Sequence, residues 1–215
     1  MLATRIPMAR DGFDAWLAAP LPGLDAIANP QAMYAGWDAD GTVPDWDLAG
    51  IADSPAAVAA VRAARESTPL ELLAARAAGG FTLARHHEDA LEIYLYDYHG
   101  ESYTTHTELL MLAGAGRFAR PGTESPVMFW GGDVYPGLPL RDDPPLVVMV
   151  VGSGGRARFA ETYPVRELTE GLRTVEEAFL AAVVEDDPES YGWDPSRVLD
   201  PAIRALVPAP GSSAG

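Results

Sequence analysis

At Gly79–Gly80 the hydrophobic period of this chain changes, and no other feature constrains its fold as tightly. Before that point, "TPLELLAARAAGG" carries a complete helix signature: Thr68 as N-cap, Pro69 in the first turn, Glu71 to close a capping box, and two glycines as the stop. "SPAAVAAVRAARE" uses Ser54 and Pro55 in the same way. After that point, "FTLARH" (81–86) and "ALEIYLYDY" (90–98) alternate and predict a hairpin turning around His87–Asp89. "PVMFW" (126–130) and "LVVMVV" (146–151) add strands, and "GSGG" turns the chain into "RARFAETY" (156–163) as a second hairpin. From Arg166 to about Glu185, Leu168, Leu172, Val175, Phe179 and Ala182–Val183 keep helical spacing. Regular βαβ alternation is missing. The pattern predicts an α+β fold: N-terminal helices, an antiparallel sheet of about five strands and a long C-terminal packing helix.

Residues 54–207 are expected to form one α+β domain, and residues 1–53 an acidic, loop-rich extension packed on it. Within that extension a short helix over 11–19, capped by Asp11, would bury Phe13, Trp16 and Leu17. The extension should dock more weakly than the core expected at 67–98 and 146–185. Asp194–Pro195 and Asp200–Pro201 each offer a cap and a first-turn proline for short terminal helices, and "PAPGSSAG" (208–215) reads as a disordered tail. The longest apolar run, Leu146–Val151, is strand length and far too short to span a bilayer. With no signal-peptide run at its start, the chain is expected to be cytoplasmic, soluble and without a membrane partner.

Composition removes whole classes of chemistry. There is no cysteine and no lysine; the fifteen basic residues are all arginine. Disulfides, thiolate metal sites, cysteine nucleophiles, Walker A loops and Schiff-base chemistry are therefore excluded. The net charge of −16 repels a phosphate backbone, so nucleic acid is not an expected partner. Charge is also clustered: eight carboxylates and no arginine lie between Asp11 and Asp53, and six more without arginine between His86 and Gly116. Such clusters read as a solvated surface or as an acidic face for a basic protein.

All four histidines, His86, His87, His99 and His106, fall in one stretch of 21 residues. His86 and His87 are adjacent on a strand and would point in opposite directions, and His99–Gly100 makes a turn. Thr105 and Glu108 offer a capping box, which would place His106 at a helix start. No pair has the H-x-x-x-H or HExxH spacing of a metal site, so neither metal nor cofactor is expected. "GWDADGTVPDWD" (36–47) gathers Asp38, Asp40, Asp45 and Asp47, but a calcium loop counted from Asp38 needs glycine and glutamate where Val43 and Ala49 stand. Trp37 and Trp46 amid those carboxylates look like aromatic anchors of an interface, the alternative being tryptophans packed beneath a solvated loop. In "LEIYLYDY", Leu91, Ile93 and Leu95 should face the core, leaving Tyr94, Tyr96 and Tyr98 on an outer face as further partner-binding candidates.

The order "GGFTLARHHEDALEIYLYD", "LVVMVVGSGGRARFAE", "TVEEAFLAAV" resembles the SUKH superfamily of bacterial immunity proteins. The shared texture is a helix ending in glycine, an edge strand with a "LEIY"-like run, and a hairpin before a final helix, over roughly residues 68–184. The resemblance implies a non-enzymatic protein that binds and blocks a toxin. Residues and resemblance lead to one expectation: an acidic binding protein of immunity or antitoxin type, monomer or weak homodimer, neutralising a basic partner. Two other classes stay open. One is a small enzyme using His86 or His99 with a carboxylate such as Asp97; the other is a structural or regulatory domain that self-associates through its tyrosines. The histidine spacing predicts no stoichiometric transition metal. Elemental analysis of untagged protein would overturn that by finding one equivalent of zinc, iron or manganese that is lost on changing His99 to alanine.

Overall fold

The turn Glu88–Asp89 shows how local sequence starts this fold. Both residues take positive φ (48° and 53°), the geometry that joins two antiparallel strands without splaying them. In the computed structural model, which describes residues 1–34, 46, 48, 51–96, 98, 103–130, 146–187 and 190–207, that hairpin is one edge of a larger sheet. The chain runs β1 (Leu2–Pro7), α1 (Arg10–Leu17), α2 (Pro55–Glu66), α3 (Pro69–Gly79), β2 (Thr82–His87), β3 (Ala90–Leu95) and α4 (Tyr103–Ala115). It continues through β4 (Glu124–Trp130), β5 (Leu146–Gly152), β6 (Arg156–Phe159), α5 (Val165–Leu180), β7 (Val183–Asp187), β8 (Ser190–Trp193), α6 (Pro195–Val198) and α7 (Pro201–Arg204).

The fold is α+β. Its main sheet has six strands rather than five, wholly antiparallel, in the order β2-β3-β1-β4-β5-β6; β7 and β8 form a separate ribbon. The extra strand comes from the N-terminus. Residues 2–7 are no peripheral extension: β1 lies between β3 and β4, pairing Thr4 with Ile93 on one side and Val127 on the other. α1 is likewise part of the core, with Phe13, Trp16 and Leu17 buried as expected. Its N-cap is Ala9, not Asp11, which instead lies in the first turn beside the helix N-terminus.

Both faces of the sheet are covered, so every residue of β3 is buried. On the Leu91–Ile93–Leu95 face, His86 of the adjacent strand packs tilted against Phe13 of α1, and Trp16 Nε1 donates to Met111 O of α4 at 3.2 Å. On the opposite face α5 lays down Leu168, Leu172, Val175 and Phe179, one stripe at helical spacing. Burying each such side chain contributes about 1.5–3 kcal/mol. The outward tyrosine face is thus a second core: Tyr94 is stacked on Phe179 with ring centroids 4.3 Å apart. "LEIY" therefore belongs to an interior strand, and the edge strand is β2.

The capping box of α3 is present in full, with Thr68 N donating to Glu71 Oε2 at 2.7 Å and Glu71 N to Thr68 Oγ1 at 3.3 Å. Asp194 and Asp200 cap α6 and α7, each accepting a backbone N–H at 3.0 Å. α5 ends at Leu180, short of Glu185, because Val183–Asp187 pairs with Ser190–Trp193 instead of continuing the helix. α4 begins at Tyr103, so His106 sits inside the helix and not at its start. Segment 208–215 lies outside the described residues. No described helix is long and apolar enough to cross a membrane.

Both sheet edges are closed by non-strand devices. At β6, Ala28 N donates to Ala157 O (2.8 Å), and the Asn29 amide both accepts from Phe159 N (2.8 Å) and donates to Phe159 O (3.0 Å). At β2, Asp200 N donates to Ala84 O (2.8 Å). Unpaired edges invite intermolecular pairing, and these contacts disfavour it at those points. Because β1 is interior, deleting residues 1–7 should abolish the cooperative thermal transition seen by circular dichroism. A truncated chain that melts like the full one would show β1 to be dispensable.

Candidate functional site

Three assemblies of polar and aromatic side chains stand out from the packing. The first lies on the hairpin. Glu92 is 1% exposed, yet its Oε1 accepts Arg5 Nε at 3.3 Å and its Oε2 accepts Arg85 Nε at 3.0 Å. Arg5, Glu92 and Arg85 share one rung across β1, β3 and β2, so three adjacent strands deliver them to one place. His87 adds Nδ1 at 3.5 Å from Oε1. His86 faces the other way, its Nε2 donating to Met8 O at 3.0 Å. The two histidines are thus divided between the faces, as strand geometry requires. Glu92 is saturated by donors and positions strands.

The second assembly surrounds α4. His106 is fully buried and stacked on Trp46, ring centroids 4.3 Å apart at 20°. Trp46 Nε1 donates to Pro30 O at 3.1 Å, and Arg65 Nη2 of α2 donates to Trp46 O at 2.7 Å. Burial, and then the charge of Arg65, push the His106 imidazole down to about 4. Half a turn on, burial pushes the Glu108 carboxyl up to about 7 against the opposing pull of Arg76, whose Nη1 lies 3.6 Å from Oε1. Glu108 Oε2 has no hydrogen-bond partner among the described residues. One helix therefore carries an acid and a base displaced in opposite senses, a pattern that catalytic sites and structural networks share.

The third assembly is at the surface. Tyr96, the residue after β3, is 55% exposed. Phe81 meets it edge-on (6.2 Å, 87°) and Phe179 lies nearly parallel to it (6.0 Å, 12°). Trp193, closing β8, contacts both Phe81 (5.2 Å) and Phe179 (5.0 Å), which completes a ring of four aromatic side chains. Three distant stretches of sequence meet there.

Of the residues expected to bind a partner, the four described ones, Trp46, Tyr94, Tyr96 and Tyr98, do not share one exposed surface. Trp46 is 2% exposed and belongs to the core, so it is no surface anchor. Tyr94 is buried under α5, and Tyr98 packs edge-on against Phe129 at 5.2 Å. Tyr96 alone of the three tyrosines faces solvent. Trp37, Asp38, Asp40, Asp45 and Asp47 lie outside the described residues, as do Asp97 and His99. Among the described residues no three histidine, aspartate or glutamate side chains cluster as metal ligands. Phe81, Trp193 and Arg76 were not singled out from sequence, while Phe179 reads there as part of an apolar helix stripe and Glu108 as the closing member of a capping box. No family model, curated protein or solved structure matches the chain significantly.

The two displaced groups on α4 set opposite pH dependences. Glu108, raised above its unfolded value, contributes stability below pH about 4.5 that is lost as pH rises to about 7. His106, depressed, contributes stability above pH about 6.5 that is lost as pH falls to about 4. Between those limits the two cancel. Glu108→Gln should therefore stabilise the protein at pH 8 by about 1–3 kcal/mol in denaturant unfolding, and leave a one-sided loss on acidification. A variant no more stable than the parent at pH 8 would contradict this.

Proposed function

We propose that this chain is an acidic, cytoplasmic protein-binding domain of the immunity or antitoxin kind, which neutralises a basic partner such as a toxin. The observation that carries the reading is the net charge of −16. Arg5, Arg10, Arg76, Arg85, Arg158, Arg166 and Arg197 engage carboxylates of the chain itself, while Arg62, Arg117, Arg120, Arg156, Arg173 and Arg204 are exposed without an ion pair to a described residue. Arg10 illustrates the first group: Nη1 is 2.6 Å from the buried Asp200, Nη2 is 2.8 Å from Asp14, and both hold the guanidinium charged by raising its pKa. Meanwhile Asp25, Asp53, Glu66, Glu167, Glu176 and Glu177 are exposed and form no ion pair with a described residue. With a net charge of −16, the outward field is negative and steers cationic proteins. Closed sheet edges favour the monomer or a weak homodimer over strand-paired assembly.

A second reading, a small enzyme, draws on Glu108 and His106, which are displaced toward neutral forms near pH 5–7. Against it, His106 is sealed beneath Trp46. The deciding experiment is a pull-down from the native host, elution with salt, and reconstitution with the protein that elutes. We expect a basic protein whose association rate falls steeply with ionic strength. Changing Asp38, Asp40, Asp45 and Asp47 to asparagine should slow association and flatten that dependence. An acidic or neutral partner, or association indifferent to salt, would overturn the proposal.

A further inference from the structure

The aromatic ring at the end of α5 has features of a specific binding point. Tyr96 is the aromatic member of the exposed large apolar side chains, and its plane is fixed by Phe81 on its edge and Phe179 beside it. Carboxylates border it. Glu176 is exposed and lies three residues before Phe179 on α5, on the neighbouring turn of the same helix. Glu177 follows in the chain, and neither glutamate forms an ion pair with a described residue. The last turn of α5 carries no basic residue, and its partial negative end lies next to Phe179. Just beyond the end of α5, Arg197 Nη1 donates to Ala181 O at 3.3 Å and its Nε lies 3.2 Å from Asp194.

We infer that the Tyr96–Phe81–Trp193–Phe179 cluster, with Glu176 at its rim, docks an arginine side chain of the basic protein partner. This rests on the acidic protein-binding reading and deepens it. Stacking a cation over an aromatic face is favourable, and a planar guanidinium can stack on the Tyr96 ring while its fork reaches a carboxylate. An ammonium group on a flexible stem does only the second. The surface therefore distinguishes arginine from lysine, which bulk negative charge does not.

The probes are hexa-arginine and hexa-lysine peptides, titrated calorimetrically into the full chain at low salt and at about 0.15 M salt. We expect hexa-arginine to bind more tightly than hexa-lysine. Tyr96→Leu, which keeps an apolar side chain without a π face, should weaken hexa-arginine about tenfold and erase the preference. Tyr96→Phe should retain it, and Glu176→Gln should weaken binding of both peptides. Circular dichroism on each variant checks that the fold is intact. Equal, salt-sensitive binding of both peptides that is unmoved by Tyr96→Leu would overturn the aromatic site and leave the acidic reading standing. Absence of binding at low salt would overturn both.

Discussion

The carboxylate of Glu92 is the point on which half of the sheet depends. A lone ionised carboxylate with 1% exposure is not tolerated, because its desolvation costs several kcal/mol. Here it is answered from both sides by Arg5 of β1 and Arg85 of β2. That requirement gives the sheet its register. A one-residue slip of β1 would carry Arg5 to the opposite face, leave Glu92 half-answered and put a guanidinium among Phe13 and Trp16. Replacing the whole triad by apolar groups would cost little by comparison; removing a single member costs about 3–5 kcal/mol. The interaction thus selects one arrangement of strands more than it adds to stability.

Helix α4 shows the same economy in a different form. Residues 106–115 are all buried, so the ionisable groups His106 and Glu108 are both pushed toward their neutral forms. Around Glu92 the donors outnumber the acceptor, whereas Arg76 alone does not outweigh the burial of Glu108. Geometry decides between the two outcomes. A rung of three strands converges two guanidinium groups on one carboxylate, while a helix pair offers one guanidinium at 3.6 Å.

What the sequence discloses divides along the range of the forces involved. The capping box at Thr68–Glu71, the hairpin at Glu88–Asp89 and the apolar stripe of α5 are short-range features, and the structure reproduces each. Strand β1 was not legible because "LATRIP" mixes an arginine, a threonine and a terminal proline; its strand character comes from partners about 90 and 120 residues away. Tyr94 reads as outward because alternation reports two faces but not what covers the second one. Val183 keeps the spacing of α5, and only its pairing with Trp193 takes it out of the helix. Trp46 looked like an anchor among carboxylates; its indole faces His106 and Pro30, contacts that no local pattern encodes. The aromatic ring around Tyr96 is the least legible of all, since residues 81, 96, 179 and 193 meet only after the sheet, α5 and the β7–β8 ribbon have assembled.

Among the described residues, these constraints bear on how the molecule can associate. Both edges of its six-stranded sheet are contacted by non-strand segments, through Asn29 at β6 and Asp200 at β2, which disfavours strand addition at those points. Among the described residues the other exposed large apolar side chains, Leu24, Val165, Leu180 and Leu206, lie on separate elements, except that Leu180 shares α5 with Val165 at its far end. Single apolar side chains of that kind need no special explanation. Tyr96 differs, because the rings behind it hold its plane before any partner arrives, which lowers the entropy lost on docking. In the proposed reading a negative field would set the rate of encounter and the sign of the partner, but exposed charge pairs are each worth only about 0–1 kcal/mol and would not select one basic protein over another. Discrimination would require a shaped, rigid contact inside that field, and the aromatic corner where α5, β3 and β8 end is the feature of the described surface proposed to supply it.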